Sequence, residues 1–325
     1  MITSTPNSDE DQFALIWKEA NKRFDEYGND KEVGTNGFYA MKAHWSEHPD
    51  RDQVWADAEK ARIGDERFRR EHECEFLIYD ETLISSTHLI DMEPQEPVEK
   101  TGQVRWYKRP TPGMTYLVSL DPAMGTGGDY AAIQVFELPT FEQVGEWHHN
   151  TTPMNQQVRI LQGITKHIHD TIMEKDSSAS PQIFYSMENN SIGEAALLRV
   201  MDIGEENIQG MFLSEPIRKG HRRKFRRGFN TTAKHKIDAC TKFKELVENN
   251  KMKINSQLLI SELKDFVATG MSFSAKAGQH DDLVSASLLM TRMIKTLADF
   301  DPKIFEKWTD RTSELAPMPI YGSFT

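Results

Sequence analysis

Short apolar runs alternate with amphipathic stretches in the second half of the chain. Two such runs, 116–120 and 131–136, flank a glycine-rich turn, and this pattern predicts a β-hairpin. A third run follows the turn at Pro139, and two more are separated from it by helical patterns. The predicted strands are residues 115–120, 131–138, 141–149, 182–187 and 208–213.

Helical periodicity fills the segments between and after these strands. Pro153 is typical of a first helical turn, and a long amphipathic stripe of Val, Leu and Ile follows it as far as Ile172. Further helices are predicted near residues 195–201, 237–247, 258–267 and 281–297. The order β-β-β-α-β-α-β is that of the ribonuclease H-like fold. We therefore predict an α/β domain with a mixed five-stranded sheet and flanking helices.

The first third of the chain has a different pattern. Helices are predicted at 13–24, 53–63 and 68–75, and strands at 38–45 and 75–79. Four prolines then punctuate a polar stretch, which indicates a linker. The predicted division is an N-terminal domain of residues 1–92, a linker of 93–112, the α/β domain of 113–300 and a tail of 301–325.

Composition narrows the function classes. The chain of 325 residues has 39 Lys and Arg against 50 Asp and Glu, which argues against coating nucleic acid with its whole surface. Two distant cysteines, Cys74 and Cys240, suggest neither a disulfide framework nor a zinc ribbon, so we expect a reducing, cytoplasmic setting. No signal peptide is recognised, and no segment approaches the ~18 apolar residues of a membrane span. We expect no membrane partner.

Carboxylates stand at comparable places on several predicted elements. Asp121 ends the first strand, Glu188 follows the fourth, and Asp281 and Asp282 begin the last helix. In a ribonuclease H-like arrangement these positions converge, and such a cluster requires cations. Oxygen ligands select Mg²⁺ or Mn²⁺, and two ions ~3.5 to 4 Å apart would clamp a scissile phosphate. The implied reaction is phosphodiester hydrolysis.

Each of these residues also has a simpler interpretation. Asp121 before a proline can initiate a turn, Glu188 can be a surface strand end, and Asp281 or Asp282 can stabilise a helix dipole. All of them together, in this order, favour a metal site.

The glycines of the hairpin turn do not form a nucleotide-binding loop. No Gly in the sequence precedes Lys, as a Walker loop requires, and these glycines lead into a strand. Asp129 follows them and lies across the hairpin from Asp121. It either supports a metal through water or merely flanks the turn.

One stretch is strongly basic in this acidic chain. Seven of the ten residues 218–227 are Lys or Arg. They form either a loop that grips DNA phosphates beside the carboxylates or a solvated loop. The candidate DNA-binding residues are Arg218, Lys219, Arg222, Arg223, Lys224, Arg226 and Arg227.

Three motifs together resemble the nuclease domain of the large terminase subunit of tailed bacteriophages, particularly the T-even-like group. They are DPAMGTGGDY from Asp121, MENNSIG from Met187 and HDDLV from His280, within a match of roughly 113–297. The resemblance implies a two-metal endodeoxyribonuclease that cuts concatemeric viral DNA during packaging into proheads. Its ligands would be Asp121, Glu188 and Asp281 or Asp282. Implied partners are double-stranded viral DNA, the portal and the small terminase subunit, in the host cytoplasm.

The N-terminal residues resemble the end of the same family's packaging ATPase. Thr3, Ser4, Thr5 and Asn7 match its coupling motif, so 1–92 would be a partial P-loop ATPase remnant. The Walker segments that precede this motif in the family are absent from the sequence. We therefore expect no ATP binding by this chain alone and consider a separate ATPase half as a further partner.

Two alternatives remain open. The chain could be a non-catalytic DNA-binding or assembly fragment that needs a separate ATPase polypeptide. It could also be another ribonuclease H-like nuclease, such as a junction resolvase, although the terminase-like N-terminal segment argues against this.

Overall fold

The computed structural model describes residues 2–4, 12–23, 31–74, 82–190, 192–219, 222–270 and 272–300. The chain divides into two units, Met1–Asp91 and Met92–Thr325. Within the described ranges, no helix combines the length and apolar character needed to cross a membrane.

The described part of the first unit is helical. Asp52 caps the second of its helices by accepting a hydrogen bond from the Trp55 amide at 2.8 Å, and Phe68 is buried against Trp45 and Trp55. The predicted strand at 38–45 was wrong: these residues are irregular and lead into a 3₁₀ turn, because their aromatic side chains are not alternately buried. The predicted strand at 75–79 lies outside the described residues. The helices are α1 Gln12–Ala20, α2 Gln53–Ile63, α3 Asp65–Glu71 and α4 Ser86–Asp91.

A mixed seven-stranded sheet organises the second unit and confirms the ribonuclease H-like α/β fold. Its spatial order is β1-β2-β5-β4-β3-β6-β7, in which β6 and β7 run parallel to β3 and the other pairs are antiparallel. In chain order the strands are β1 Glu99–Thr101, β2 Val104–Trp106, β3 Thr115–Asp121, β4 Ala131–Leu138, β5 Glu142–His149, β6 Gln182–Met187 and β7 Met211–Phe212.

The sheet has two more strands than predicted, and both lie in the segment 93–112 that was predicted as a linker. Val104 and Trp106 are buried and extend the sheet core, so this segment is part of the domain. The prolines at 94, 97, 110 and 112 lie before and after the two strands rather than within them, which is where a sheet tolerates proline.

Five helices and two separate hairpins complete the described part of this unit. The helices are α5 Met154–Lys175, α6 Gly193–Ile203, α7 Ala233–Glu248, α8 Gln257–Asp265 and α9 Asp282–Phe300. The hairpins pair β8 Glu215–Lys219 with β9 Arg222–Arg226, and β10 Phe266–Thr269 with β11 Ser272–Ala275.

Alternation along β3 places α5 and α9 on opposite faces of the sheet. Val118 and Leu120 join the core cluster that includes the apolar face of α5. Ser119 points the other way, and its hydroxyl donates to the carbonyl of Ala286 in α9 at 2.7 Å. Asp121 continues the Ser119 face and is therefore directed toward the α9 side.

Candidate metal centre

The parallel pairing of β3 with β6 brings Asp121 and Glu188 together. Leu120 lies opposite Met187, and the Glu188 amide donates to the Leu120 carbonyl at 3.1 Å. Met187 belongs to the core on the α5 side, so Glu188, one residue later, lies on the α9 side with Asp121. The two carboxyl groups are close enough for Glu188 to raise the pKa of Asp121.

This pair is electrostatically costly. Burial raises the pKa of Asp121 well above its usual range, and the neighbouring Glu188 and the charges of Asp282 and Asp281 raise it further. A buried carboxylate with carboxylate neighbours is stabilised by a proton or by a cation.

The N-terminus of α9 delivers the next carboxylate. The Asp282 side chain is 15% exposed, lies 3.6 Å from Nδ1 of His280, and accepts a 3.4 Å hydrogen bond from the Tyr130 amide. Burial raises the pKa of Asp282 to about 6, and the charges of Asp281 and Asp129 contribute to the rise.

A buried glutamate that the sequence did not reveal fixes this helix end. Oε2 of Glu262, in α8, accepts a hydrogen bond from the Val284 amide at 3.0 Å. Burial raises the pKa of Glu262 to about 9, so the group is protonated and uncharged at neutral pH. Glu262 in the sequence resembles any polar helix residue, and only its packing against α9 identifies its function.

Asn190 orients Glu188 from the loop after β6. Its Nδ2 donates to Oε2 of Glu188 at 3.0 Å, while its Oδ1 accepts from the amides of Ile192 and Gly193 at the start of α6. Gly193 lies so close that a Cβ on it would be 1.9 Å from the Glu188 carbonyl oxygen. The loop after β6 is therefore fixed both by the Asn190 hydrogen bonds and by the close contact between Gly193 and the Glu188 backbone.

The donor chemistry of the cluster fits a hard divalent cation. Its groups are carboxylates, the ligands that Mg²⁺ and Mn²⁺ prefer. In the described part of the chain no three His, Cys, Asp or Glu side chains already stand in metal-binding geometry. The arrangement is an adjacent Asp121–Glu188 pair with Asp282 and Asp281 close enough to act on Asp121 electrostatically.

Asp129 lies in the turn between β3 and β4 and is exposed. Asp121 pairs in the sheet with Ala132, so the turn extends beyond the end of the ladder. The charge of Asp129 acts on Asp282. The structure thus places Asp129 at the outer edge of the cluster, and its support of a metal stays a prediction.

A cavity of about 230 Å³ borders the carboxylate pair. Asp121 and Glu188 form one wall, and residues of α7 and α9, including the cationic Lys236 and Arg292, form another. Neither cation could be predicted from the sequence, because neither belongs to a motif. The only signal was the spacing of Ser285, Leu288 and Arg292 along one face of α9.

The basic stretch folds as a β-hairpin rather than the predicted loop. Arg218 pairs with Arg223 and Lys219 with Arg222 across β8 and β9, and residues 220–221 lie outside the described residues. Its return strand leads directly to the cluster: Phe229 bridges to Glu188, and the Asn189 side chain donates to the Arg227 carbonyl at 2.7 Å.

The guanidinium of Arg227 forms an ion pair with Glu205 at 2.5 Å. DNA contact by Arg218, Lys219, Arg222, Arg223, Lys224, Arg226 and Arg227 stays a prediction.

The predicted ATPase-coupling residues are only partly described, so their role stays a prediction. Thr3 and Ser4 are in neither helix nor strand, and Thr5 and Asn7, like the tail 301–325, lie outside the described residues. The interpretation of residues 1–92 as a P-loop ATPase remnant stays a prediction.

The segment of the chain that matches a known protein family lies within the second unit. The sequence matches the family described as "Terminase RNaseH-like domain" over residues 118–293, more than half of its length. It is similar to the large terminase nuclease of thermophilic phage G20c solved with magnesium, at 17% identity and TM-score 0.49, covering 65% of this chain and 97% of that one.

Two further structures are similar at comparable levels. The large terminase nuclease domain of Thermus phage P74-26 is 18% identical with TM-score 0.45, covering 63% of this chain and 92% of that one. The human cytomegalovirus terminase nuclease domain, soaked with Mn and inhibitor-bound, is 12% identical with TM-score 0.42, covering 65% and 94%.

Proposed function

The chain belongs to the terminase RNaseH-like domain family, and from that premise we propose that its second unit is a metal-dependent DNA endonuclease that cuts concatemeric viral DNA during genome packaging. The proposal depends on the half-buried Asp121–Glu188 pair with Asp282 beside it. Three carboxylates from two strand ends and one helix end converge where burial makes their charges costly.

Asp121, Glu188 and Asp282 are the residues that would hold Mg²⁺ or Mn²⁺. Two such ions would activate the attacking water and stabilise the leaving oxygen of the phosphodiester. The protein's own contribution is positioning: Asn190 orients Glu188, and Ser119 and Glu262 fix α9, which carries Asp282.

DNA is the proposed substrate, and we propose that the basic hairpin 215–226 binds its phosphates. The chain leaves the hairpin beside Glu188, so a DNA strand whose phosphates bind the hairpin would lie close to the carboxylates. We further propose the portal, the small terminase subunit and a separate ATPase half as partners, the host cytoplasm as the location, and no ATP hydrolysis by this chain alone.

The test uses the full chain and supercoiled plasmid DNA. Wild-type protein should nick or linearise the plasmid with Mg²⁺ or Mn²⁺ and stop when EDTA is added. Asp121→Asn should lose cleavage while remaining folded, and its metal-free form should unfold at a higher temperature because the unfavourable carboxylate–carboxylate contact with Glu188 is relieved. Asp202→Asn, an exposed aspartate of α6, is the matched control and should cleave normally. Full activity in Asp121→Asn would exclude the proposed site.

The same samples separate the alternatives. A non-catalytic DNA-binding fragment would show salt-sensitive DNA binding that survives Asp121→Asn, without cleavage by the wild type. A junction resolvase would cleave four-way DNA in preference to linear duplex. The match to the terminase family favours the packaging nuclease over both.

A further inference from the structure

The cavity beside the carboxylates contains a lysine whose position suggests a role in the reaction. Lys236 projects from α7, its side chain is 25% exposed, and it lines the same cavity as Asp121 and Glu188. Its ammonium lies 5.3 Å from the centre of the Phe266 ring, which supports the stem of the side chain. A cation is thus held beside the acidic pair.

Arg292, the other cation of this cavity, already forms an ion pair and hydrogen bonds within the protein. Its guanidinium contacts Glu215 at 2.8 Å, the Asn230 carbonyl at 3.1 Å and the Thr231 hydroxyl at 3.3 Å, and its side chain is 11% exposed. It ties α9 to the base of the basic hairpin. Arg292 therefore serves the structure of the site rather than a ligand.

Lys236 has donors to spare. Its nearest acidic partner is Oδ2 of Asp281 at 3.7 Å, an ion pair too long for a hydrogen bond. Among the described residues, no hydrogen bond of its Nζ accompanies this ion pair. An ammonium carries three donors, and a partly exposed one beside a nuclease site is free to bind a phosphate oxygen.

The two adjacent aspartates, Asp281 and Asp282, differ in exposure and in the groups that they contact. Asp281 precedes α9, accepts the Ser285 amide on its backbone carbonyl at 2.8 Å, and directs its carboxylate to Lys236. Asp282 is the less exposed of the two, at 15% against 28%, and faces the Tyr130 amide. Among the described residues no Lys or Arg forms an ion pair with Asp282. Asp282 is the carboxylate that still needs a cation.

We propose that Lys236 binds a DNA phosphate in this cavity and that Asp281 acts through Lys236 as its counter-ion, which leaves Asp121, Glu188 and Asp282 as the metal ligands. The inference rests on the proposed nuclease function and deepens it. The cavity of about 230 Å³ has the volume of several waters and so admits a phosphate group. Lys236 is then a substrate-contacting residue and Asp281 a positioning residue.

The experiment compares Lys236→Met, Lys236→Arg, Asp281→Asn and Asp282→Asn in the full chain. Lys244→Met, an exposed lysine on the same helix, is the control. Three quantities are measured: plasmid cleavage with Mn²⁺, Mn²⁺ affinity by calorimetry, and the salt dependence of duplex DNA binding with Ca²⁺ in place of Mn²⁺.

Lys236→Met should reduce the cleavage rate by about 10²-fold, in line with the loss of one donor to the transition state. It should lower the salt slope of DNA binding by about 1 and leave Mn²⁺ affinity unchanged. Lys236→Arg should restore part of the rate. Asp281→Asn should keep Mn²⁺ affinity, whereas Asp282→Asn should lose it by about 10-fold or more. In the Lys236→Met background, Asp281→Asn should add little.

Wild-type cleavage and an unchanged salt slope in Lys236→Met would overturn the role of Lys236. Loss of Mn²⁺ affinity in Asp281→Asn equal to that in Asp282→Asn would overturn the role of Asp281. If the wild type itself does not cleave DNA, the proposed function fails, and the Mn²⁺ affinities and salt slopes still decide whether Lys236 and Asp281 have these roles.

Discussion

We expect Gly193→Ala to reduce DNA cleavage, although Gly193 is not itself one of the proposed metal ligands. Gly193 begins α6, and a Cβ there would lie 1.9 Å from the Glu188 carbonyl oxygen, where real Cβ atoms essentially never come closer than 3.0 Å. The helix end and the Glu188 backbone must therefore separate by about 1 Å, and a displacement of about 1 Å at a reacting group costs on the order of 10²-fold in rate.

The assay is plasmid cleavage with Mn²⁺ together with thermal unfolding. Gly193→Ala should cleave about 10²-fold more slowly and lose about 1 to 3 kcal/mol of stability through overpacking. The matched control is Gly163→Ala in the middle of α5, where a Cβ would meet nothing within 4 Å. That variant should cleave normally and gain up to about 1 kcal/mol from helix propensity. Wild-type cleavage by Gly193→Ala would refute the argument that this close approach positions Glu188.

Three other outcomes follow from the geometry. Arg292→Met should lower the free energy of unfolding by about 3 kcal/mol, measured by urea denaturation, because Glu215 would stay largely buried without its partner. Burial raises the pKa of Glu262 to about 9, above its unfolded value, so this group's stabilisation is present at acid pH and lost as the pH rises toward 9; Glu262→Gln should flatten that fall in unfolding temperature. Mn²⁺ should raise the unfolding temperature of the wild type but not of Asp282→Asn.

The main strands were predictable because their burial is nearly complete. Residues of β4 are buried along its whole length, and such apolar, β-branched runs bounded by turn residues leave little choice. The short strands β1 and β2 were not predictable, because three-residue strands between prolines show too little periodicity. The basic hairpin was missed because charges, rather than alternating apolar residues, occupy both of its strands.

The meeting of Asp121, Glu188 and the Asp281–Asp282 pair could be predicted from their places at the ends of elements, since the fold brings those ends together. The supporting residues could not. Glu262 and Lys236 sit on ordinary amphipathic helices, and their importance depends on burial and on one contact each with the start of α9. The sequence could not distinguish Asp281 from Asp282, because they are adjacent. In the structure Asp281 contacts Lys236, whereas Asp282 accepts a hydrogen bond from the Tyr130 amide.

The most direct test of the account is anomalous diffraction from crystals of the full chain soaked with Mn²⁺. We expect anomalous density bounded by the carboxylates of Asp121, Glu188 and Asp282, with Asp281 remaining beside Lys236. Strong manganese density elsewhere in the second unit, with none between these three side chains, would contradict it.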